Sequence, residues 1–304
     1  MRRLLCLAIA CVMAAPVSAQ VIDGTLDGVY GPAAALQTVE TQFGDNFSEL
    51  NGGYGTINGG LLNLMLTGNI EGNFNKLEIF IDSKAGGQSV FDSSGNDGAN
   101  AMDGLVFDSG FTADYHIIVR RGNAGGDKFD IDFANLGTQS ASGYFDIFGG
   151  SQTGIGSTGT GVNAAPILVA YDNSNVAGVA GGTGPANQAA AAAVTTGLEL
   201  GIALSDLGYA GGPIRIMAGV NNQNHNYWSN QFLGGLTAPQ GNLGGDGAGG
   251  FTGSGAINLE NGLTPLGVPY ATGEQFFTII PEPTSLALLG LSLVGLACGR
   301  GRRG

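Results

Sequence analysis

Between residues 20 and 280 this 304-residue chain has no cysteine: Cys6, Cys11 and Cys298 fall near its two ends. Disulfides are thereby excluded as a source of stability, and an apolar core of ordinary size must supply it; roughly 260 residues are ample for one. Positive charge is nearly as scarce. Lys76, Lys84, Arg120, Arg121, Lys128 and Arg215 stand against 23 carboxylates in that segment. Such a surface repels nucleic acid and anionic lipid, which need basic patches, and is compatible with cations, neutral polysaccharide or solubility alone. Catalytic motifs are missing too. There is no G-x-S-x-G, no H-E-x-x-H, no cysteine nucleophile between the ends, and the histidines number two, His116 and His225, so no enzyme is predicted. G-x-G-x-x-G occurs three times, but 56 glycines produce about two such matches by chance, and none joins a strand to a helix as nucleotide binding requires. The alternative is an extracellular enzyme acting on polysaccharide through a carboxylate pair, although nothing selects two acids among 23.

The ends read differently from the middle. Arg2 and Arg3, an apolar run over 4–15 and Val17-Ser18-Ala19 describe a secretory signal peptide, residues 1–19, with its helix. At the other end, 284–299 carries no charge and as a helix spans roughly 24 Å, a little short of a ~30 Å hydrocarbon core. With Ile279 and Ile280 upstream it is expected to form a C-terminal transmembrane helix, and Arg300, Arg302 and Arg303 would then lie on the cytoplasmic side. Pro281-Glu282-Pro283, the apolar run and the arginine cluster, in that order, resemble the PEP-CTERM sorting signal recognised by exosortase-type transpeptidases. The resemblance implies that 281–304 is a processing tag cut near Pro281, Glu282 and Pro283. It also implies an exosortase-type partner and export, with transient membrane anchoring through the C-terminus before release to the cell envelope or extracellular matrix.

Residues 20–280 alternate as strands do. Leu198, Leu200, Ile202 and Leu204 share one face, as do Phe129, Ile131 and Phe133, with Asp130 and Asp132 between them. Continuous apolar runs at 61–66, 77–81, 115–119, 167–171, 214–220 and 276–280 read as inner strands. Helical period is confined to 187–194 and one turn at 204–207. The expectation is an all-β, antiparallel, jelly-roll-like β-sandwich of about ten to fourteen strands, with long glycine-rich loops near 149–165, 173–190 and 234–256. "IDGTLDGVYG" from Ile22, "LEIFIDS" from Leu77, "ADYHIIV" from Ala113 and "GLELGIALSDLG" from Gly197 are similar to stations of family 9 carbohydrate-binding modules and DOMON-like domains. That likeness implies a sandwich binding sugar or another small ligand.

Two local stretches carry candidate sites. "NNQNHNYWSN", from Asn221, offers an aromatic platform flanked by amides, with Trp228, Tyr227, His225 and Asn224 as the sugar-binding set. Its structural alternative is a tryptophan anchoring the core. "DSSGNDGANAMDG", from Asp92, places Asp92, Asn96, Asp97 and Asp103 where a flexible loop would hold calcium, although it lacks the closing glutamate of an EF-hand and also reads as an ordinary turn. Some DOMON-like domains hold haem through a methionine and a histidine, which would nominate Met65 and His116. The functional expectation is a secreted, exosortase-processed surface or matrix protein, structural or adhesive, binding extracellular polysaccharide.

Overall fold

In the computed structural model, which describes residues 20–93 and 95–281, thirteen strands form two antiparallel sheets. The first sheet has the order β1 (Ala35–Leu36), β2 (Glu49–Asn58), β3 (Leu61–Asn69), β10 (Gly197–Ala203), β9 (Leu168–Asp172) and β8 (Thr153–Ser157). The second runs β12 (Trp228–Leu233), β11 (Ile214–Asn221), β4 (Asn73–Asp82), β5 (Tyr115–Asn123), β6 (Asp127–Asn135) and β7 (Ser140–Tyr144). A last strand, β13 (Phe277–Ile279), pairs with the first half of β11. One short helix, α1 (Gln188–Ala192), is capped by Asn187, whose side chain accepts from the N–H groups of Ala189 and Ala190.

Period-two alternation builds the main core. Leu198, Leu200 and Ile202 on β10 lie opposite Leu66, Leu64 and Leu62 on β3, so all six present to one face. Across the sandwich, Ile79 on β4 aligns with Ile117 on β5, and Ile117 with Phe133 on β6. All are fully buried in one cluster that spans both sheets. Each such side chain contributes about 1.5–3 kcal/mol of transfer free energy.

Alternation alone would leave Glu199, Asp130 and Asp132 in water, but they too are buried. On the first sheet the N-terminal segment folds over the outer face. Glu199 accepts from Tyr30 Oη at 2.8 Å and from the N–H groups of Asp23 and Gly24 at 2.8 and 3.0 Å, and burial pushes its carboxyl up. On the second sheet the 83–114 connection and the 234–276 segment form a third layer. Phe80, Ile118, Met217, Trp228 and Phe232 meet Phe91, Met102, Phe107, Leu243 and Ile257 there in a second apolar cluster. The expected glycine-rich loop at 234–256 is therefore a packed layer, and the one expected at 149–165 contains β8.

The expected signal peptide with its N-terminal helix (1–19) and nearly all of the expected sorting tag lie outside the described residues. Among the described residues no helix is long and apolar enough to cross a membrane. The expected C-terminal transmembrane helix is corrected at its start: Ile279, expected to lengthen it, is the last residue of β13, which leaves a run worth roughly 24 Å, shorter than a ~30 Å hydrocarbon core. Residues 284–299, and with them the transient membrane anchoring expected through that end, lie outside the described residues.

The last strand is seated by glycine. A Cβ on Gly53 would stand 2.6 Å from Phe277 Cζ, and one on Gly55 2.2 Å from Ile279 Cδ1, so only bare backbone on β2 lets β13 enter the sandwich. Gly53→Ala is expected to lower stability by about 1–3 kcal/mol through overpacking, read as a lower urea midpoint with the m-value unchanged.

Candidate functional site

At one end of the sandwich, five chain segments surround a hollow of about 360 Å³ lined by Asn46, Phe47, Glu71, Gly72, Asn73, Arg121, Gln152 and Asn173. Arg121 is the residue that organises it. It pairs with Phe129 on β6 and so belongs to the inner face of its sheet, but at the sandwich end, where a long side chain reaches past the core. Its Nε donates to the Ile70 carbonyl and its Nη1 to the Ser151 carbonyl at 3.3 Å, and the residue is 5% exposed. Among the described residues Arg121 is bonded to carbonyl oxygens and forms no salt bridge, whereas Lys76, Arg120, Lys128 and Arg215 all meet carboxylates.

Amides complete the wall. Asn173 Oδ1 accepts from the Ile70 N–H at 3.2 Å, and Asn173 Nδ2 donates to Gln152 Oε1 at 3.1 Å. Asn73 Oδ1 accepts from the Asn75 N–H at 3.0 Å. Asn46, at φ 58°, is held by its N–H to Glu49 Oε2 at 3.1 Å, while its own Oδ1 is buried without a partner. Phe47, 60% exposed, stands at the rim. An aromatic face, several amides and a fixed guanidinium bordering one small hollow are what a polar, hydroxyl-rich ligand requires. A second hollow of about 370 Å³, lined by 259–263 and 269–273, offers fewer convergent polar side chains.

The sugar-binding set expected from the sequence is not assembled. Trp228 is fully buried, donates from Nε1 to the Gly255 carbonyl at 2.9 Å and packs on Phe232 at 5.2 Å. His225 is buried as well. Tyr227 is half-buried and stacks on Phe43, and Asn224 is exposed on the turn. The correction has a plain cause: β12 begins at Trp228 and lies beneath the third layer, so the ring faces protein instead of solvent.

His225 belongs instead to a buried ionic network on the covered face of the second sheet. Glu78 is fully buried and sits between two histidines, His116 Nε2 at 2.8 Å and His225 Nδ1 at 2.6 Å. His225 Nε2 lies 3.3 Å from Asp97 Oδ2, which also meets Lys76 Nζ at 2.5 Å and Arg120 Nη1 at 3.1 Å; Arg120 continues to Asp132 and Asp130. Burial alone would raise the Glu78 carboxyl, but the charge and hydrogen bonds of the histidines hold it well below the usual carboxylate range. Burial lowers His225, and the Glu78 charge with the bonds to Asp97 and Glu78 more than reverses that, raising it to about 9.

The same geometry engages part of the expected calcium set. The Asp97 carboxylate is occupied by Lys76, Arg120 and His225, and Asp103 Oδ1 accepts the Ser93 N–H at 2.7 Å. Asp92 is exposed, and Asn96 Nδ2 is buried without a partner. Among the described residues no group of three His, Cys, Asp or Glu side chains is placed to hold a metal ion. Met65 packs with Tyr30 and Tyr54 over the first sheet, and His116 stacks on Phe80 over the second, so the nominated haem ligands lie on opposite outer faces.

Sequence reasoning missed Phe47, Asn46, Arg121, Gln152 and Asn173 because they come from separate segments. The one available signal was the Arg120-Arg121 pair, which alternation sends to opposite faces of β5.

The raised pKa of His225 stabilises the fold fully below its unfolded value of about 6.5, and this stability is lost as pH rises through about 9. The depressed Glu78 contributes above its unfolded value of about 4.3, and that contribution is lost as pH falls. Urea midpoints are therefore expected to be highest between about pH 5 and 6.5 and to decline on both sides, with His225→Gln flattening the alkaline limb.

One family model, the PEP-CTERM protein-sorting motif, matches residues 280–303. No curated protein and no solved structure matches the chain, and none of these comparisons supports the likeness to family 9 carbohydrate-binding modules or DOMON-like domains. The chain thus carries, at its C-terminal end, the sorting motif of an exosortase-processed secreted or surface protein.

Proposed function

We propose that this exosortase-sorted protein acts in the cell envelope or extracellular matrix as a non-catalytic adhesive or structural component, and that it binds saccharide units of extracellular polysaccharide in the Arg121 hollow. The observation that carries the reading is the convergence there of exposed Phe47 with an Asn46 Oδ1 and a buried Arg121 that have, among the described residues, no hydrogen-bond partner and no carboxylate partner respectively. A pyranose presents an apolar face for the ring and hydroxyls that both donate and accept, which matches aromatic rim and amide wall. Glu71, also lining the hollow, adds an acceptor for hydroxyl pairs. The acidic surface does not oppose a neutral glycan, since no net charge is brought to it.

The test is a glycan array probed with the exported protein and with Phe47→Ala, Gln152→Ala and Trp228→Ala. Binding by the parent is expected to weaken by roughly tenfold in Phe47→Ala, a loss of about 1.4 kcal/mol, with the urea midpoint unchanged. Trp228→Ala is expected to cost about 3–5 kcal/mol of fold stability instead. Absence of glycan binding by the parent, or equal binding by Phe47→Ala and Gln152→Ala, would remove the assignment.

A further inference from the structure

Five strands end the two sheets, β12 and β13 lying one after the other along β11, and three of these edges meet other parts of the chain. β1 is two residues long, and the chain just beyond it accepts a bond from Ala186 at the Thr38 carbonyl. β7 is covered through its side chains by the 159–163 segment: Ser142 Oγ accepts the Val162 N–H at 3.0 Å, and Tyr144 Oη bonds to Asn163. β12 exchanges two bonds with Gly244, from the Trp228 N–H at 3.1 Å and from the Gly244 N–H at 2.9 Å.

β8 is different. Its register with β9 runs unbroken from Thr153 to Ser157. Just outside it, the Thr158 N–H donates to Ile167 and the Gln152 carbonyl accepts from Asn173, both at 2.9 Å. Even-numbered residues therefore turn their backbone groups toward β9, and Thr153, Ile155 and Ser157 turn theirs outward. Among the described residues nothing bonds to those outward N–H and C=O groups. Natural edges are usually blunted by lysine, proline or a bulge. None is present in Thr153–Ser157, and the whole stretch 147–171 contains no Asp, Glu, Lys or Arg. The adjoining surface is apolar, with Ile155 65% and Leu168 41% exposed.

We infer that β8 is a self-association edge, through which two copies of this chain pair antiparallel about a two-fold axis at Ile155 and join their first sheets. The segment is self-complementary in that register. Thr153 lies opposite Ser157, Ile155 opposite Ile155, and the outward groups of the three residues supply about six inter-chain hydrogen bonds. Charge selects the place. Two chains that each carry 23 carboxylates against six basic residues over 20–280 repel one another over most of their surface, and meet without repulsion where charge is missing. This inference stands independently of saccharide binding, since it uses backbone groups and an apolar side chain outside the hollow.

The test is sedimentation velocity of the exported protein from about 1 μM to about 1 mM, with two variants. Ile155→Lys sets like charges opposite each other at the axis. Ile155→Pro removes an outward N–H while leaving the bonds to β9 intact. Concentration-dependent dimerisation by the parent, weakened roughly tenfold or more in both variants with the circular dichroism spectrum retained, is the expected result. A parent that stays monomeric throughout, or a dimer unaffected by either change, would overturn it. If Ile155→Pro does not fold, Thr153→Lys combined with Ser157→Lys gives the same readout, since each lysine then faces another across the axis.

Discussion

Burial of both faces of the seven-stranded sheet is the constraint on which the remaining structure depends. One face meets the other sheet through Ile79, Ile117, Phe133 and their neighbours. The opposite face lies under the 83–114 and 234–276 segments. An antiparallel sheet can leave one side to water; this one does not, so every polar side chain on its second face needs an internal partner.

That requirement explains where the scarce cations go. Lys76 and Arg120 project from β4 and β5 onto the covered face, where Asp97, Asp130 and Asp132 meet them, and the two histidines enclose Glu78. The network ties the acidic 92–104 turn to the sheet through Asp97, while Ala99 and Met102 anchor the same turn by burial. A loop that resembles a cation site in sequence is held instead by side-chain cations. Removing one partner would leave an uncompensated buried charge, which costs far more than an exposed pair contributes.

The exits of the fold carry its proposed roles. Arg121 extends beyond the core at the sandwich end and gathers the turn after β3, the segment before β8 and the residue after β9 around one hollow. β8 leaves an uncharged edge whose outward backbone groups take no bond among the described residues. β13 enters the sandwich over Gly53 and Gly55 and brings the last core residue, Ile279, to the start of the sorting motif at residue 280.

Much of the architecture was legible because strand alternation is a local property. Leu198-x-Leu200-x-Ile202 and Phe129-x-Ile131-x-Phe133 declare their inner faces without reference to any other segment. The sorting motif was legible for a similar reason, since Pro281-Glu282-Pro283, an apolar run and an arginine cluster are contiguous. The sequence by itself thus determined an antiparallel sandwich and a sorting motif. Tertiary structure alone decided that Trp228 is core, that Asp97 serves an ionic network, that the faces carrying Glu199 and Asp130 are covered, and that Arg121 gathers distant amides. Each depends on which segments lie over a strand's second face or meet at its end, and long-range packing, which local periodicity does not encode, sets that arrangement.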